Sequence, residues 1–295
     1  MSQSERALPM SSNLIGVLWM LVAVTSLTSM FAIAKYLMQS LPLVEVGMFR
    51  FVMSLLFYLP WLAQRGVGAL KTSRPGAHFS RGFFGAGSLL ASIYAVQHMR
   101  LADATVLAFS IPLWSVLFAA LFLRERIRLG RTLATFAGFI GVVVMVRPQA
   151  GFEPAAAIAL LSAILATSSI TTMKSLTRTE PTERIVFYFL LSGAVMMGVP
   201  TLYAFELPSL IEWAWLFALG LVGWFGQYCM TRAYAAGDMT VIAPFDFTRV
   251  IIAGILGYVV FGEVPDTWGL VGAGIVMCAC AYIAGSEARR SETPS

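Results

Sequence analysis

Two charged residues lie inside the apolar segment VIAPFDFTRVIIAGILGYVVFG, which covers residues 241–262. They are Asp246 and Arg249, and a third charge, Arg50, lies about seven residues inside another apolar segment. A charge at the centre of a bilayer costs about 2.5–3.5 kcal/mol on insertion scales, so such groups face a protein interior and find partners. The two arginines outnumber the single acid, and an arginine fork matches the geometry of a carboxylate or phosphate. These residues therefore predict a substrate-binding polar cluster within a membrane.

The same three residues allow two other interpretations. Asp246 and Arg249 are three positions apart on one helical face and can neutralise each other without any functional role. Asp246 is also the only acid deep in any apolar segment, so it is the candidate for carrying a coupling proton. An ionised cluster that orients substrate is the reading that the neighbouring arginines favour.

Aromatic residues add a second set of candidates. Trp114 and Trp224 lie in the middle of apolar segments, whereas tryptophan in membrane proteins commonly lies at the interface. Gln227 and Tyr228 follow Trp224 closely in the sequence. We expect these four side chains to form a substrate-binding wall that stacks against a planar or cationic molecule, with ordinary packing as the alternative.

Two lysines and two prolines are candidates for gates and hinges. Lys35 and Lys174 lie near opposite ends of the first apolar segment in each half of the chain. Each can act as a gate or can extend its side chain to the lipid headgroups. Pro112 and Pro244 interrupt helical hydrogen bonding within apolar segments and are predicted hinges.

The apolar segments that must position these residues occupy nearly the whole chain. The 295 residues are 58% hydrophobic and 12% charged, with a mean hydropathy of +0.79. Soluble domains usually carry about twice that share of charge, and a helix needs about 20 apolar residues to cross a bilayer. Ten segments meet this length, at 14–38, 43–63, 81–99, 103–123, 131–147, 154–174, 184–205, 209–232, 239–262 and 267–286. The sequence therefore predicts an all-α membrane protein with ten transmembrane helices.

The basic residues predict the orientation of these spans. Three of the twenty Lys and Arg residues fall in connectors on one face, and two lie within spans. The other fifteen fall on the opposite face, namely Arg6, Arg65, Lys71, Arg74, Arg81, Arg124, Arg126, Arg128, Arg131, Lys174, Arg178, Arg184, Arg232, Arg289 and Arg290. Positive residues concentrate on the cytoplasmic side of membrane proteins. Both termini are therefore predicted to lie in the cytoplasm.

Several other function classes lack their sequence signals. The first apolar run exceeds the roughly 7–15 residues of a signal-peptide core, so it is interpreted as a span. No G-x-x-x-x-G-K-[ST] phosphate loop occurs, which disfavours transport driven by ATP bound to this chain. The three cysteines lie in apolar segments, far in sequence from the two histidines, and are interpreted as reduced packing residues. We therefore expect no cofactor, no metal site and no nucleic-acid partner.

The two halves of the chain resemble each other. VEVGMFRFVMSLL at 44–56 aligns with TERIVFYFLLSGA at 182–194, and ADATV at 102–106 aligns with GDMTV at 237–241. The matched pairs are Glu45 with Glu183, Phe49 with Phe187, Ser54 with Ser192, Lys35 with Lys174, Asp103 with Asp238, and Glu125 with Glu263. Because each half holds five spans, an odd number, matched residues lie on opposite faces of the membrane. Inverted repeats of this kind are typical of secondary transporters.

This arrangement resembles the drug/metabolite transporter superfamily of the EamA type. The resemblance rests on a Glu after the fourth span of each repeat and on the glycine-rich fifth spans, TLATFAGFIGVVVMVRP and TWGLVGAGIVMCACAYIAG. EVGMFRF, LKTSRP and FSIPLW are similar to the subgroup of S-adenosylmethionine uptake carriers, and APFDFTR followed by GYVVFGE is common among bacterial members. The first span departs from that subgroup, because TSLTSMFAIAK lacks its acidic residue. The resemblance implies ten helices, a central cavity and metabolite transport without ATP.

The sequence thus predicts two inverted five-helix repeats at 14–148 and 149–286, with cytoplasmic tails at 1–13 and 287–295. The predicted function is secondary transport of a small amphipathic metabolite, similar to S-adenosylmethionine, riboflavin or an amino acid, across the inner membrane by alternating access. Export of amino acids, metallophores or drugs, a passive channel and an intramembrane enzyme are the alternatives. The expected partners are the substrate and the lipid bilayer, with a coupling proton or ion and a homodimer left open.

Overall fold

The structure is a computed structural model of the full chain. It describes residues 10–108, 110–111, 113–114, 129–146, 154–177, 179–236, 245–246, 248–264 and 266–291. Within this part of the chain all regular structure is helical. The predicted all-α fold is therefore confirmed.

Eleven α-helices and one short 3₁₀ turn, Val67–Leu70, make up the described fold. The helices are α1 Met10–Leu37, α2 Leu43–Leu56, α3 Leu59–Arg65, α4 Pro75–His98, α5 Leu101–Ala108, α6 Leu129–Val146, α7 Pro154–Leu176, α8 Thr182–Thr201, α9 Leu210–Ala236, α10 Thr248–Phe261 and α11 Thr267–Ser291. Together α2 and α3 cover the second predicted span, and α5 begins the fourth.

Five of the described segments are long and apolar enough to cross a membrane. They are Leu14–Leu37, Leu43–Arg65, Pro154–Met173, Thr182–Thr201 and Leu210–Ala236. Parts of α6, α10 and α11 form shorter apolar helices of 10–17 residues. These segments coincide with eight of the ten predicted spans, because hydropathy and length are local properties that the sequence carries directly.

Helix packing repeats between the two halves of the chain. The contact between α1 and α9 has its counterpart in the contact between α7 and α4, and α4 packs on α8 as α9 packs on α2. Likewise α1 contacts α10 as α7 contacts α5. The contacts of α2 with α8 and of α6 with α11 join equivalent helices of the two halves. This pattern is what a pseudo-two-fold axis between two five-helix repeats produces.

Glycines allow close helix contacts at matching places in the two halves. A Cβ atom on Gly220 would overlap Met53, and one on Gly82 would overlap Ser192. Ser54, the sequence counterpart of Ser192, donates a hydrogen bond to the Gly220 carbonyl at 2.8 Å. Small residues let helices approach in lipid, where apolar burial alone gives little drive for association. These contacts fix the rotation of α2, α4, α8 and α9, which together form much of the central cavity described below.

The third span begins earlier than the sequence analysis placed it. Helix α4 starts at Pro75, whose missing N–H suits the first turn of a helix. Arg81 therefore lies about 9 Å along the helix axis from its start, at 1.5 Å per residue. Its side chain is 2% exposed. The interpretation of Arg81 as an orienting charge at the cytoplasmic face is incomplete, because this residue belongs to the protein interior.

Candidate functional site

A cavity of about 190 Å³ lies where helices of the two halves meet. Helices α1, α2, α4 and α5 of the first half line it together with α7, α8 and α9 of the second half and residues at the start of α10. Its polar lining consists of Thr28, Arg50, Arg81, Ser88, Ser92, Thr105, Ser162, Ser169, Gln227, Tyr234, Asp246 and Arg249. A mostly apolar lining with several convergent polar groups is the usual make-up of a site for a small molecule.

Arg50 projects from α2 into the cavity wall and is 2% exposed. Its Cζ lies 4.7 Å from the ring centroid of Phe51 and 5.6 Å from that of Phe189, and its Nε contacts the Met30 sulfur at 3.4 Å. Its buried Nη1 has no hydrogen-bond partner among the described residues. The guanidinium is thus held by aromatic rings and sulfur, and no described carboxylate pairs with it.

Arg81 approaches the same aromatic ring from α4. Its Cζ lies 4.9 Å from the Phe189 centroid, and neither Nε nor Nη2 has a described hydrogen-bond partner. Sequence reasoning missed this residue because Arg81 stands at the edge of an apolar run. Pro75, directly after Arg74, was the available signal for an earlier helix start.

The two buried arginines carry a charge that their surroundings do not balance. Burial of an ion costs several kcal/mol even after relaxation, whereas a cation–π contact returns about 2 kcal/mol when desolvated. Asp246 is the only acid among the described lining residues. Its Oδ1 already accepts a hydrogen bond from Arg249 at 2.8 Å. The described cavity therefore holds more positive than negative charge.

The predicted ion pair between Asp246 and Arg249 is present. Their side chains are 24% and 19% exposed, and both line the cavity. Arg50 lines the same cavity, but its described contacts are Met30, Phe51 and Phe189. The three predicted charges thus line one cavity but form two groups within it. One group is the ion pair of Asp246 with Arg249, and the other is Arg50 among aromatic rings.

A network of ion pairs lies at the end of the molecule that the sequence predicts to face outside the cell. Lys35, at the end of α1, forms an ion pair with Glu263, just after α10. Its Nζ also donates to the Met99 carbonyl at 2.6 Å, and the other carboxylate oxygen of Glu263 accepts the Leu101 N–H at 2.7 Å. The Lys35 side chain is 14% exposed. Lys35 is thus bound to residues of both halves in this structure and does not extend toward the lipid headgroups.

Arg100 continues this network. It pairs with Asp103 on α5 and with Asp266 at 2.8 Å, and its Nη1 donates to the Val264 carbonyl at 3.0 Å. We call Lys35, Glu263, Arg100, Asp103 and Asp266 the outer cluster. The pairs of Lys35 with Glu263 and of Arg100 with Asp266 join the first half to the second half.

Comparison with known proteins identifies the family of this chain. A sequence profile described as the EamA-like transporter family matches residues 14–147 and 154–285. The chain belongs to the EamA-like transporter family. It is a multi-pass membrane transporter built from two inverted repeats of five helices, as its sequence predicts.

Curated relatives of this EamA-like transporter differ in what they are named to carry. A protein of Rickettsia bellii named S-adenosylmethionine uptake transporter is 34% identical over 92% of this chain and 94% of its own. A riboflavin transporter of Rhizobium johnstonii is 30% identical over 100% of this chain and 99% of its own. A pseudopaline exporter of Pseudomonas aeruginosa is 31% identical over 90% of this chain and 94% of its own. All three relatives are similar to this chain over most of their length, and their names include both uptake and export.

A solved crystal structure shares the fold of this EamA-like transporter. It superposes with a TM-score of 0.64 at 22% identity and covers 96% of this chain and 99% of its own. At this identity the likeness concerns the fold alone.

The aromatic residues predicted to line the site have different environments. Gln227 is 7% exposed and lines the cavity. Trp224 stacks between Phe57, at 5.3 Å, and Tyr228, at 6.1 Å, and neither Trp224 nor Tyr228 is part of the cavity lining. Trp114 also lies outside the lining. The structure therefore places three of these four predicted substrate-binding residues in helix packing instead.

Trp114 packs against side chains outside the cavity. Its ring meets the edge of Phe139 at 5.2 Å, and its Nε1 donates to the Ser110 hydroxyl at 3.0 Å.

Three predicted gate or hinge residues have no described side-chain contacts. Pro112 and Pro244 lie outside the described residues, and Lys174 lies in α7 with its side chain outside the described part.

Proposed function

We propose that this EamA-like transporter carries a small amphipathic metabolite across the inner membrane by alternating access. The observation that carries the proposal is a cavity to which both halves contribute polar residues, at one end of which ion pairs connect the halves. In inverted-repeat carriers the substrate binds between the halves, and rocking of one half against the other exposes it to each side in turn.

The outer cluster is the proposed gate on the outer side. Lys35 and Arg100 belong to the first half, while their partners Glu263 and Asp266 belong to the second. Separation of the halves at this end breaks both pairs, and closure forms them again. A closed end of this kind favours a carrier over a passive channel, which needs a continuous path.

Within the cavity, the ion pair of Asp246 and Arg249 is proposed to orient the substrate. An ionised pair presents a carboxylate oxygen and guanidinium N–H groups to one molecule, and it suits a substrate with both polar and apolar parts. The names of the relatives give the substrate classes to test. These are sulfonium or other amino-acid metabolites, riboflavin and small metallophores.

The test is transport by purified protein in proteoliposomes against S-adenosylmethionine, riboflavin, a set of amino acids and a small metallophore. We expect saturable uptake of at least one compound and counterflow, meaning that internal unlabelled compound drives entry of labelled compound. An ohmic current without saturation would support a channel and overturn the proposal. Loading the vesicles at different internal pH values tests the coupling proton.

We also propose cytoplasmic termini, repeats at 14–148 and 149–286, and Lys35 as a gate residue. Lys71→Cys, in a background without the native cysteines, should react with a membrane-impermeant maleimide only after cells are opened. Labelling of intact cells at this position would reverse the proposed orientation.

The homodimer stays a prediction, to be tested by the mass of the detergent-solubilised protein.

A further inference from the structure

Two buried arginines that belong to different helices both contact the ring of Phe189. Arg50 comes from α2 and Arg81 from α4, and both guanidinium carbons lie within 5.6 Å of the Phe189 ring centroid. Both side chains are 2% exposed and both line the cavity. A contact between a cation and an aromatic ring does not use the N–H donors of the guanidinium, so these remain available to a hydrogen-bond acceptor.

The described protein leaves several of these donors without acceptors. Nη1 of Arg50 and Nε and Nη2 of Arg81 are buried and have no described partner. Glu180 is an acid near the start of α4, but its carboxylate already accepts hydrogen bonds from Thr72, at 2.6 Å, and from Arg184. Arginine presents its donors as a planar fork that matches carboxylates and phosphates.

Glycines make room for this arrangement. A Cβ atom on Gly85 would lie 2.5 Å from Phe189 Cε2, and one on Gly223 would lie 3.3 Å from Arg50 Nε. The Ser169 hydroxyl donates to the Arg81 carbonyl at 3.0 Å and ties α7 to this part of α4. Ring and guanidinium groups are therefore positioned by tight packing, which prepares a binding site before the ligand arrives.

We propose that an anionic group of the transported metabolite, a carboxylate or a phosphate, binds between Arg50 and Arg81 beside Phe189. This inference rests on the proposed function and narrows its substrate class to metabolites that carry an anion. The ion pair of Asp246 and Arg249 then meets another polar part of the same molecule. Arg81 is the new member of the site, because it supplies the second positive charge.

The first test needs no variant. Two matched pairs of compounds compete with the labelled transported compound for reconstituted wild-type protein. The first pair is S-adenosylmethionine and decarboxylated S-adenosylmethionine, and the second is riboflavin 5′-phosphate and riboflavin. Hydrogen bonds to charged groups predict that the anionic member binds about 10- to 100-fold more tightly in at least one pair. A preference in the first pair assigns a carboxylate, and a preference in the second assigns a phosphate. Equal competition within both pairs would overturn the inference.

The second test uses Arg50→Gln and Arg81→Gln, with Arg50→Lys and Arg81→Lys as variants that keep the charge. For the preferred anionic probe we expect the Gln variants to raise KM about 10- to 100-fold and the Lys variants to recover part of it. The KM for the analogue without the anion should change little in the same variants. Arg65→Gln is the matched control, since Arg65 is an exposed arginine at the end of α3. Equal losses for the probe and its analogue would assign Arg81 a structural role and overturn the site.

These outcomes separate the site from the carrier function. Saturable transport with no preference for the anionic members refutes the anion site and keeps the carrier. An ohmic current without saturable transport of any compound of the panel refutes the carrier itself. The amount of each variant in the membrane and its elution volume in detergent show whether it folds, and the wild-type competition decides the matter if a variant does not.

Discussion

The outer cluster and the cavity use the same kinds of charged residues in opposite ways. In the outer cluster Lys35 and Arg100 meet carboxylates from the other half of the chain. In the cavity Arg50 and Arg81 meet aromatic rings and no described carboxylate. Where the protein supplies the opposite charge, the pair can hold two halves together. Where it does not, a ligand can supply it.

Burial explains why this difference matters. Exposed ion pairs contribute about 0–1 kcal/mol, because water and salt screen them. Arg100 and Asp266 are 33% and 37% exposed, so this pair can break and form again at little cost. Arg50 and Arg81 are almost fully buried, where an unbalanced charge costs several kcal/mol. The pair of Arg100 with Asp266 thus suits a reversible contact of the proposed gate, and the cavity suits a binding site.

The largest effect is expected from Asp246→Asn in the cavity. The change removes the only acid of the described lining and leaves Arg249 as a further unbalanced cation. Breaking a buried pair costs about 3–5 kcal/mol, and partial exposure reduces this to roughly half, so transport should fall about 10- to 70-fold. Initial rates in proteoliposomes, at equal amounts of protein, measure the loss.

Arg249→Ala should impair transport as well, because the pair acts as a unit. The double variant Asp246→Asn/Arg249→Gln is the control for charge balance and should fold better than Asp246→Asn alone. Wild-type rates in both single variants would show that the pair has only a structural role.

A smaller effect is expected from Glu263→Gln in the outer cluster. Lys35 then loses its counter-charge, which favours separation of the halves at this end by about 1.4 kcal/mol, or about tenfold. The measurement is labelling of Ser92→Cys, in the cavity, by an impermeant maleimide added outside. Glu206→Gln, an exposed acid in the connector between α8 and α9, is the matched control. Unchanged labelling in Glu263→Gln would refute the gate.

A change in packing should disturb the cavity more mildly. The added methyl group of Gly85→Ala would lie 2.5 Å from Phe189 and 2.8 Å from the Ser169 hydroxyl, so the ring must move. Overpacking costs about 1–3 kcal/mol, and we expect a lower Tm and a several-fold higher KM. Gly87→Ala is the control, because its nearest neighbour, Leu165, would be at 3.5 Å. The same KM in both variants would show that the position of Phe189 does not affect binding.

The smallest effect is expected from Trp114→Phe. This ring packs on Phe139 outside the cavity, so transport should stay within about twofold of wild type while stability falls by about 1 kcal/mol through loss of the hydrogen bond to Ser110. Transport rates and Tm of the same preparation measure both. A tenfold loss of transport at unchanged stability would return Trp114 to the substrate site.

The sequence by itself determined the class of this protein and its repeated organisation. Apolar length is a local property, so the predicted spans agree with the described helices over most of their extent. The pair of Asp246 and Arg249 could also be predicted from the sequence, because residues three apart in a helix share a face whatever the surrounding fold. The matches between the halves also anticipated the symmetric helix contacts.

Only the tertiary structure decided which charges distant in the sequence meet. Lys35 and Glu263 are separated by 228 positions, and no local pattern says that they touch. Helix rotation decides the rest, since it turned Arg81 into the cavity and Trp114 away from it. That rotation follows from close contacts such as those at Gly82 and Gly220, which depend on the shapes of neighbouring helices. The sequence of one helix cannot show these shapes, because they belong to its neighbours.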